Sequence, residues 1–260
     1  MKRCLTKAAL VSAVLLLGPA AALAVVIPSS LSITGTVALD TVNSANAVGG
    51  ALQSGVLTHR SGGVTTHASF AGNPAGLSPS SLAGGLLQTG DGIGVDFALS
   101  GAVAGAANSV GLFADYSFHL LNSSAAVTYT VVFRGAFANA VAATGSDAFA
   151  QSEIRVRDSG NNEVLFSDYR VDTFYTGPGN NLMVNSPSST YTVVLTPGAQ
   201  TSFSALQSLK GGVYSAGDFS AGLKAFVSVD QISPVPEPAS AALLGVGLAV
   251  LLVALKRRAG

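Results

Sequence analysis

Tryptophan is absent from this 260-residue sequence, histidine occurs three times, and charged residues make up only 10% of it. The single cysteine, Cys4, lies in an N-terminal leader. The rest of the chain therefore has no disulfide framework, no thiolate nucleophile and no Cys-ligated zinc. Cys4 precedes the leader's apolar run, the wrong side of it for a lipid-modified N-terminus. No Gly-x-Ser-x-Gly elbow, His-Glu-x-x-His, phosphate-binding loop or dinucleotide fingerprint occurs. There is no helical period outside the two ends and no internal repeat of 20–50 residues. Without tryptophan, a flat platform for stacking on sugar rings would have to come from tyrosine or phenylalanine.

The leader has the form of a secretory signal peptide over residues 1–24. Lys2, Arg3 and Lys7 make its basic start, residues 8–17 its apolar run, and Ala22-Leu23-Ala24 its small-residue cleavage site. Its partners are then the general secretion machinery and signal peptidase, cutting after Ala24. A retained N-terminal anchor is the alternative, but the apolar run is short and Pro19 breaks it.

The other end is more specific. Val235-Pro236-Glu237-Pro238 leads into an uncharged stretch, residues 239–255, which stops at Lys256, Arg257 and Arg258. As a helix, this stretch would be about 25 Å long at 1.5 Å per residue, the short end for a membrane span. The basic triplet would hold its end in the cytoplasm and place everything before Pro236 outside. Pro236 and Pro238 remove two backbone donors and bias the residues before them toward extended geometry, so no helix runs through them. Glu237 adds a charge to a segment that a processing enzyme can read as a strand.

Together these features resemble the PEP-CTERM sorting signal of Gram-negative bacteria. The resemblance covers residues 234–260 and implies that an exosortase recognises Pro236, Glu237 and Pro238. It further implies a single-pass inner-membrane intermediate with a periplasmic ectodomain, which is then cut near the motif and displayed at the cell surface or released, in association with exopolysaccharide.

Between the two ends, residues 25–233 form the ectodomain. Seven Lys/Arg against twelve Asp/Glu leave it a net charge of −5, so the balanced charge of the whole chain comes from two basic ends. A mildly acidic domain argues against nucleic acid and anionic membrane surfaces as partners. Period-2 patterning predicts strands at 32–39, 55–59, 64–70, 95–99, 127–134, 149–157, 163–170, 191–196 and 223–232. Residues 158–162 read as a hairpin turn, and 73–94, rich in Gly, Ser and Pro, as a long loop. The predicted fold is all-β, an antiparallel β-sandwich flanked by the signal peptide and one C-terminal transmembrane helix.

Candidate chemistry is sparse. Asp158, Asn161, Asn162 and Glu163 offer four oxygen ligands within six residues, which calcium could use, although Asx residues are also what a hairpin turn requires. Asp91 and Asp96 flank Gly92-Ile93-Gly94 with the same ambiguity. If Gly62-Gly63 makes a two-residue turn, His59 pairs with Thr66 and His67 with Thr58. The two imidazoles then point to opposite faces and cannot share a metal. Tyr116, Tyr169, Tyr175 and Tyr214 are possible sugar stackers, although burial is the commoner outcome for tyrosine, while Tyr129 and Tyr191 fall on core faces. Asp168 and Asp172 are the nearest thing to a hydrolase pair. The sequence supports no enzyme and no cofactor. It reads first as an exported structural or adhesive protein, second as a carbohydrate-binding module, and last as an extracellular hydrolase.

Overall fold

Strict alternation of apolar and small polar residues builds nearly every element, because successive side chains in a strand point to opposite faces. The computed structural model describes residues 24–44, 51–104, 108–174 and 181–235. The leader up to residue 23, and the predicted span at 239–255 with its basic end, lie outside the described residues.

The strands are β1 (Leu31–Leu39), β2 (Leu52–Ser61), β3 (Val64–Ala71), β4 (Ser81–Gly85), β5 (Gly92–Ala104), β6 (Asn108–Asn122) and β7 (Thr128–Gly145). They continue with β8 (Ala148–Arg157), β9 (Glu163–Asp172), β10 (Leu182–Asn185), β11 (Thr190–Leu195), β12 (Gln200–Val213) and β13 (Ala216–Val235). Two antiparallel sheets result. One has seven strands in the order β10-β9-β8-β12-β6-β1-β4, and the other six in the order β11-β7-β13-β5-β2-β3. They pack face to face over a continuous hydrophobic core, as expected of a sandwich.

At one end the two sheets are joined by an aromatic cluster. Phe118 and Phe203 of the seven-stranded sheet stack at 4.4 Å, and Phe133 of the other sheet meets Phe203 edge-on at 4.7 Å. Tyr191 of β11 packs edge-on against the same Phe203 at 5.5 Å. Nearer the middle a polar bridge crosses the core: the buried Tyr116 hydroxyl donates to Gln207 Oε1, and Gln207 Nε2 donates to the Leu223 carbonyl at 3.0 Å. Burial pushes the Tyr116 phenol well above its ordinary range.

The predicted loop at 73–94 requires correction. It holds a 3-10 turn at Pro74–Gly76, the whole of β4 and the start of β5. β4 reads Ser-Leu-Ala-Gly-Gly, with almost no strand propensity of its own, and its pairing along β1 (Val37 opposite Leu82) imposes the conformation. β6, β10 and β12 were not foreseen, and β5, β7 and β13 run well beyond their predicted spans. The second half of β7 is built largely of Ala, Gly, Asn and Thr, residues that carry little strand signal until β13 pairs along it from Gly145 to Thr128.

Candidate functional site

The hairpin register expected at Gly62-Gly63 is the one found: His59 lies opposite Thr66, and Thr58 opposite His67. Both glycines have positive φ, 56° and 79°, which a two-residue turn of this hand demands. His59 is buried, its ring filling space above Gly84, where a Cβ would come within 2.8 Å of Cε1. His67 is exposed and bonds Thr58 Oγ1 through Nδ1 at 3.1 Å. His119 bonds Ser117 Oγ at 3.1 Å on a different strand. The three imidazoles do not converge.

Asp91 has a structural use that the sequence reading missed. Its carboxylate is fully buried. Oδ2 accepts from Gly62 N at 2.6 Å, Leu87 N at 2.9 Å and Gln88 N at 3.0 Å, and Oδ1 accepts from Gly63 N at 3.3 Å. One side chain thereby ties the β2–β3 turn to the β4–β5 connection. Asp96 faces outward, 4.0 Å from the Lys224 ammonium.

The calcium candidates turn inward on their own hairpin. Asp158 Oδ1 accepts from Gly160 N and Asn162 N, both at 2.9 Å, and Asn161 takes a left-handed φ of 64°. Asn161 Oδ1 accepts from Arg157, and Glu163 accepts from Arg155. These oxygens face a turn and two guanidinium groups instead of a common centre, an Asx-turn geometry.

Asp168 and Asp172 share β9 but stand four residues apart, about 13 Å along the strand at 3.3 Å per residue. That is wider than the carboxylate separations of glycosidases. Asp168 is buried under Arg170, whose Nη2 lies 2.6 Å away, and Arg155, whose Nη2 lies 3.2 Å away. Arg155 also bonds Glu153 and Glu163, and these carboxylates, Glu153 foremost, raise its pKa. Glu153 and Asp168 are directly opposed across β8 and β9, and the two arginines offset their repulsion.

The exposed carboxylates make the fold mildly sensitive to acid. The Arg134 guanidinium holds Asp230 below its usual range, and the Asn162 side chain does the same first for Asp158. A carboxylate with a depressed folded-state pKa stabilises the fold above its unfolded value, near 4, and that contribution is lost as pH falls through the folded value. Asp115, raised by burial and then by Asp40, works in the opposite direction. Melting temperature is expected to drop as pH falls below about 4. Asp230→Asn should remove less than about 1 kcal/mol of this, because the Arg134 pair is exposed. A melting curve independent of pH across that range would contradict this linkage.

The tyrosines divide between core and surface. Tyr116 is core, contrary to its candidacy as a stacker, because β6 alternates Leu112, Ala114, Tyr116, Phe118 and Leu120 inward. Tyr129 is core as expected, and its hydroxyl meets Ser30 Oγ at 2.8 Å. Tyr169 is half-buried beside Asn185. Tyr175 lies outside the described residues. Tyr214 is 65% exposed and stacks on Phe149, ring centres 6.0 Å apart, at the corner where Phe174 is also 59% exposed. Asp147 fastens this corner by accepting from Tyr214 N, Ser215 N and Ser215 Oγ.

The two ends of the sandwich therefore differ. β13 is a twenty-residue strand, roughly 65 Å long at 3.3 Å per residue. The exposed aromatic corner sits where it begins. Where it ends, Val235 pairs with Thr128, and the next residue is Pro236. The first described residues are also built in: Val25 N donates to Thr89 Oγ1, and Ile27 N to the Leu87 carbonyl. Ala24, on the proposed cleavage side, is exposed, whereas Ala22 and the motif residues Pro236, Glu237 and Pro238 lie outside the described residues.

The last strand of the all-β domain thus runs directly to the Pro-Glu-Pro sequence. The family of the PEP-CTERM protein-sorting motif matches residues 234–258, so this chain bears that signal and is an exported, exosortase-processed protein that is membrane-anchored and then cleaved. No curated protein matches the sequence. Among solved structures, that of infectious bursal disease virus Gx strain is 8% identical, covering 84% of this chain and 71% of its own, with a TM-score of 0.16. The D431N mutant VP2 protein of infectious bursal disease virus, in derived T=1 particles, is 9% identical, covering 80% and 64%, with a TM-score of 0.14. Such scores carry no argument about fold or function.

Proposed function

We propose that this chain is a non-enzymatic structural or adhesive protein, displayed at the cell surface or released into an exopolysaccharide-rich matrix after exosortase processing near Pro236, Glu237 and Pro238. The observation that carries this reading is the direct junction of β13 with the sorting motif. The sandwich is itself the delivered product, with no separate module between it and the cut. The reading is also supported by the use of its acidic side chains. Asp91, Asp158 and Asp168 are engaged in turns and ion pairs that hold the fold.

The experiment follows the two ends of the chain separately. An antibody to the ectodomain and an epitope tag after Gly260 are blotted in membrane, periplasmic and extracellular fractions. The expected result is ectodomain in the extracellular fraction without the tag. Both epitopes remaining on one full-length membrane band would make the tail a plain anchor and end the release claim.

A second reading, a carbohydrate-binding module, is favoured by one observation. The Tyr214 and Phe149 stack and exposed Phe174 share the corner at the far end of β13 from the motif, where aromatic faces could stack on sugar rings. Tyr214→Ala is then expected to weaken retention on polysaccharide columns about tenfold, since stacking contributes up to ~1.5 kcal/mol. Equal retention of the variant and the parent protein would dismiss this reading.

A further inference from the structure

Sheet edges in soluble proteins are usually guarded by charge, proline, bulges or covering segments, because an edge offers unpaired N–H and C=O groups to any other strand. Here the edges are β3 and β11 of the six-stranded sheet and β4 and β10 of the other. Their sequences, VTTHASFA, TYTVVL, SLAGG and LMVN, contain no Asp, Glu, Lys, Arg or Pro. Charge lies on interior strands instead: Arg60 on β2, Asp96 on β5, Arg134 on β7, Arg155 on β8 and Lys224 on β13. The register shifts fall at Val229/Gln231 in the β13–β7 pair and at Val156/Arg157 in the β8–β9 pair, so neither lies on β3 or β11.

The parity of the ladders identifies the unpaired groups. Gly72 N donates to the Gln53 carbonyl, which continues the β2–β3 ladder through the even positions of β3. Thr65, His67, Ser69 and Ala71 therefore turn their backbone groups to the open side. Gly135 N donates to the Ser189 carbonyl, placing the odd positions of β11 in its ladder and leaving Thr190, Thr192 and Val194 facing outward. Val64 and Val194 are 69% and 63% exposed at these edges. Among the described residues no strand pairs along either open side; Thr190 N donates to Ser188 Oγ and its carbonyl accepts from the same hydroxyl, both at 3.0 Å, so the open positions of β11 are Thr192 and Val194.

We propose that a second copy of this chain docks here edge to edge, β3 of one copy against β11 of the next, joining six-stranded sheets into an open chain of protomers. β3 and β11, at eight and six residues, are longer than β4 and β10, at five and four. They also lie at opposite sides of one sheet. A contact between two different patches is heterologous, and it repeats without closing unless its rotation happens to complete a ring. Each joint is small and therefore weak, so assembly should depend on concentration, which accumulation at a surface or in a matrix supplies. This inference rests on the structural reading above and names the material's repeating contact.

The test is sedimentation velocity on the full chain in detergent, over rising protein concentration, for the parent protein, Val194→Lys and Thr192→Pro. The lysine adds a charge at an exposed edge position. The proline removes an N–H that no internal ladder bond uses. Circular dichroism and melting establish that each variant is folded, and Ser69→Lys on β3 replaces any variant that is not. The expected result is a concentration-dependent series of species for the parent protein and an about tenfold weaker association in each variant, or ~1.4 kcal/mol per joint. A parent protein that stays monomeric, one that stops at a closed dimer, or folded variants that assemble as it does would each overturn the proposal. None of these outcomes alters the fractionation result, so the contact and the function on which it rests fail separately.

Discussion

Replacing Asp91 with alanine is expected to destabilise the sandwich by roughly 3–5 kcal/mol, a large part of the 5–15 kcal/mol typical of a folded domain. The carboxylate accepts four backbone N–H groups, three of them on Oδ2. A hydrogen bond to a charged group contributes about 1.5–3 kcal/mol net, and a buried donor left unpaired costs about 1–3 kcal/mol. Simple addition over the four bonds, about 6–12 kcal/mol, would take up most of that stability. The estimate is lower because Gly62, Gly63 and Leu87 are themselves exposed, so water can reach some of the freed donors. Asp91→Asn should lose about half as much, since its one carbonyl oxygen can keep the Oδ2 position while its amide faces Gly63 N. Chemical denaturation measures both variants, and amide exchange locates the effect, which should fall first on β3. A loss below about 1 kcal/mol in the alanine variant would show that the carboxylate is not what fastens the turn.

Asp91 also marks the limit of what could be read from the sequence. Its neighbours Gly92-Ile93-Gly94 allow either a turn or a cation loop, and nothing in a linear chain shows that its partners are 28 and 29 residues upstream as well as next door. The hairpin at Gly62-Gly63 was legible, because a two-glycine turn fixes which residues oppose one another. So were the strands where Val131 and Phe133, Ile154 and Val156, Val193 and Leu195, and Leu223 to Val227 place a core residue at every second position. β4 and the outer half of β7 were not, because their alanines and glycines become strands only when β1 and β13 pair along them. β6 was missed despite a clean inward alternation, since Gly111 and the apolar Phe113 and Leu121 on its outer face blur the contrast between the two faces. The sorting tail needed no tertiary information, being a local order of proline, charge, apolar run and basic end.

That tail carries the second large effect. The triple variant Pro236→Ala, Glu237→Ala, Pro238→Ala is expected to abolish extracellular release while leaving the melting temperature of the ectodomain unchanged. Both halves of the expectation follow from where β13 stops. Its ladder with β7 runs to Val235 opposite Thr128, and the loop beside it is fixed independently, with Asn122 Nδ2 donating to the carbonyls of Val127, Leu195 and Thr196. Substitution after Val235 therefore removes none of these bonds. What it does remove is the Pro-Glu-Pro sequence with its charge, the part of the sorting signal that an exosortase would read. The variant should accumulate as a full-length membrane band carrying both the ectodomain and the tag after Gly260. Release at the parent rate would show that cleavage does not depend on Pro236, Glu237 and Pro238. A lowered melting temperature would instead show that the motif contributes to the fold, and any retention of the variant would then need a folding explanation before a processing one.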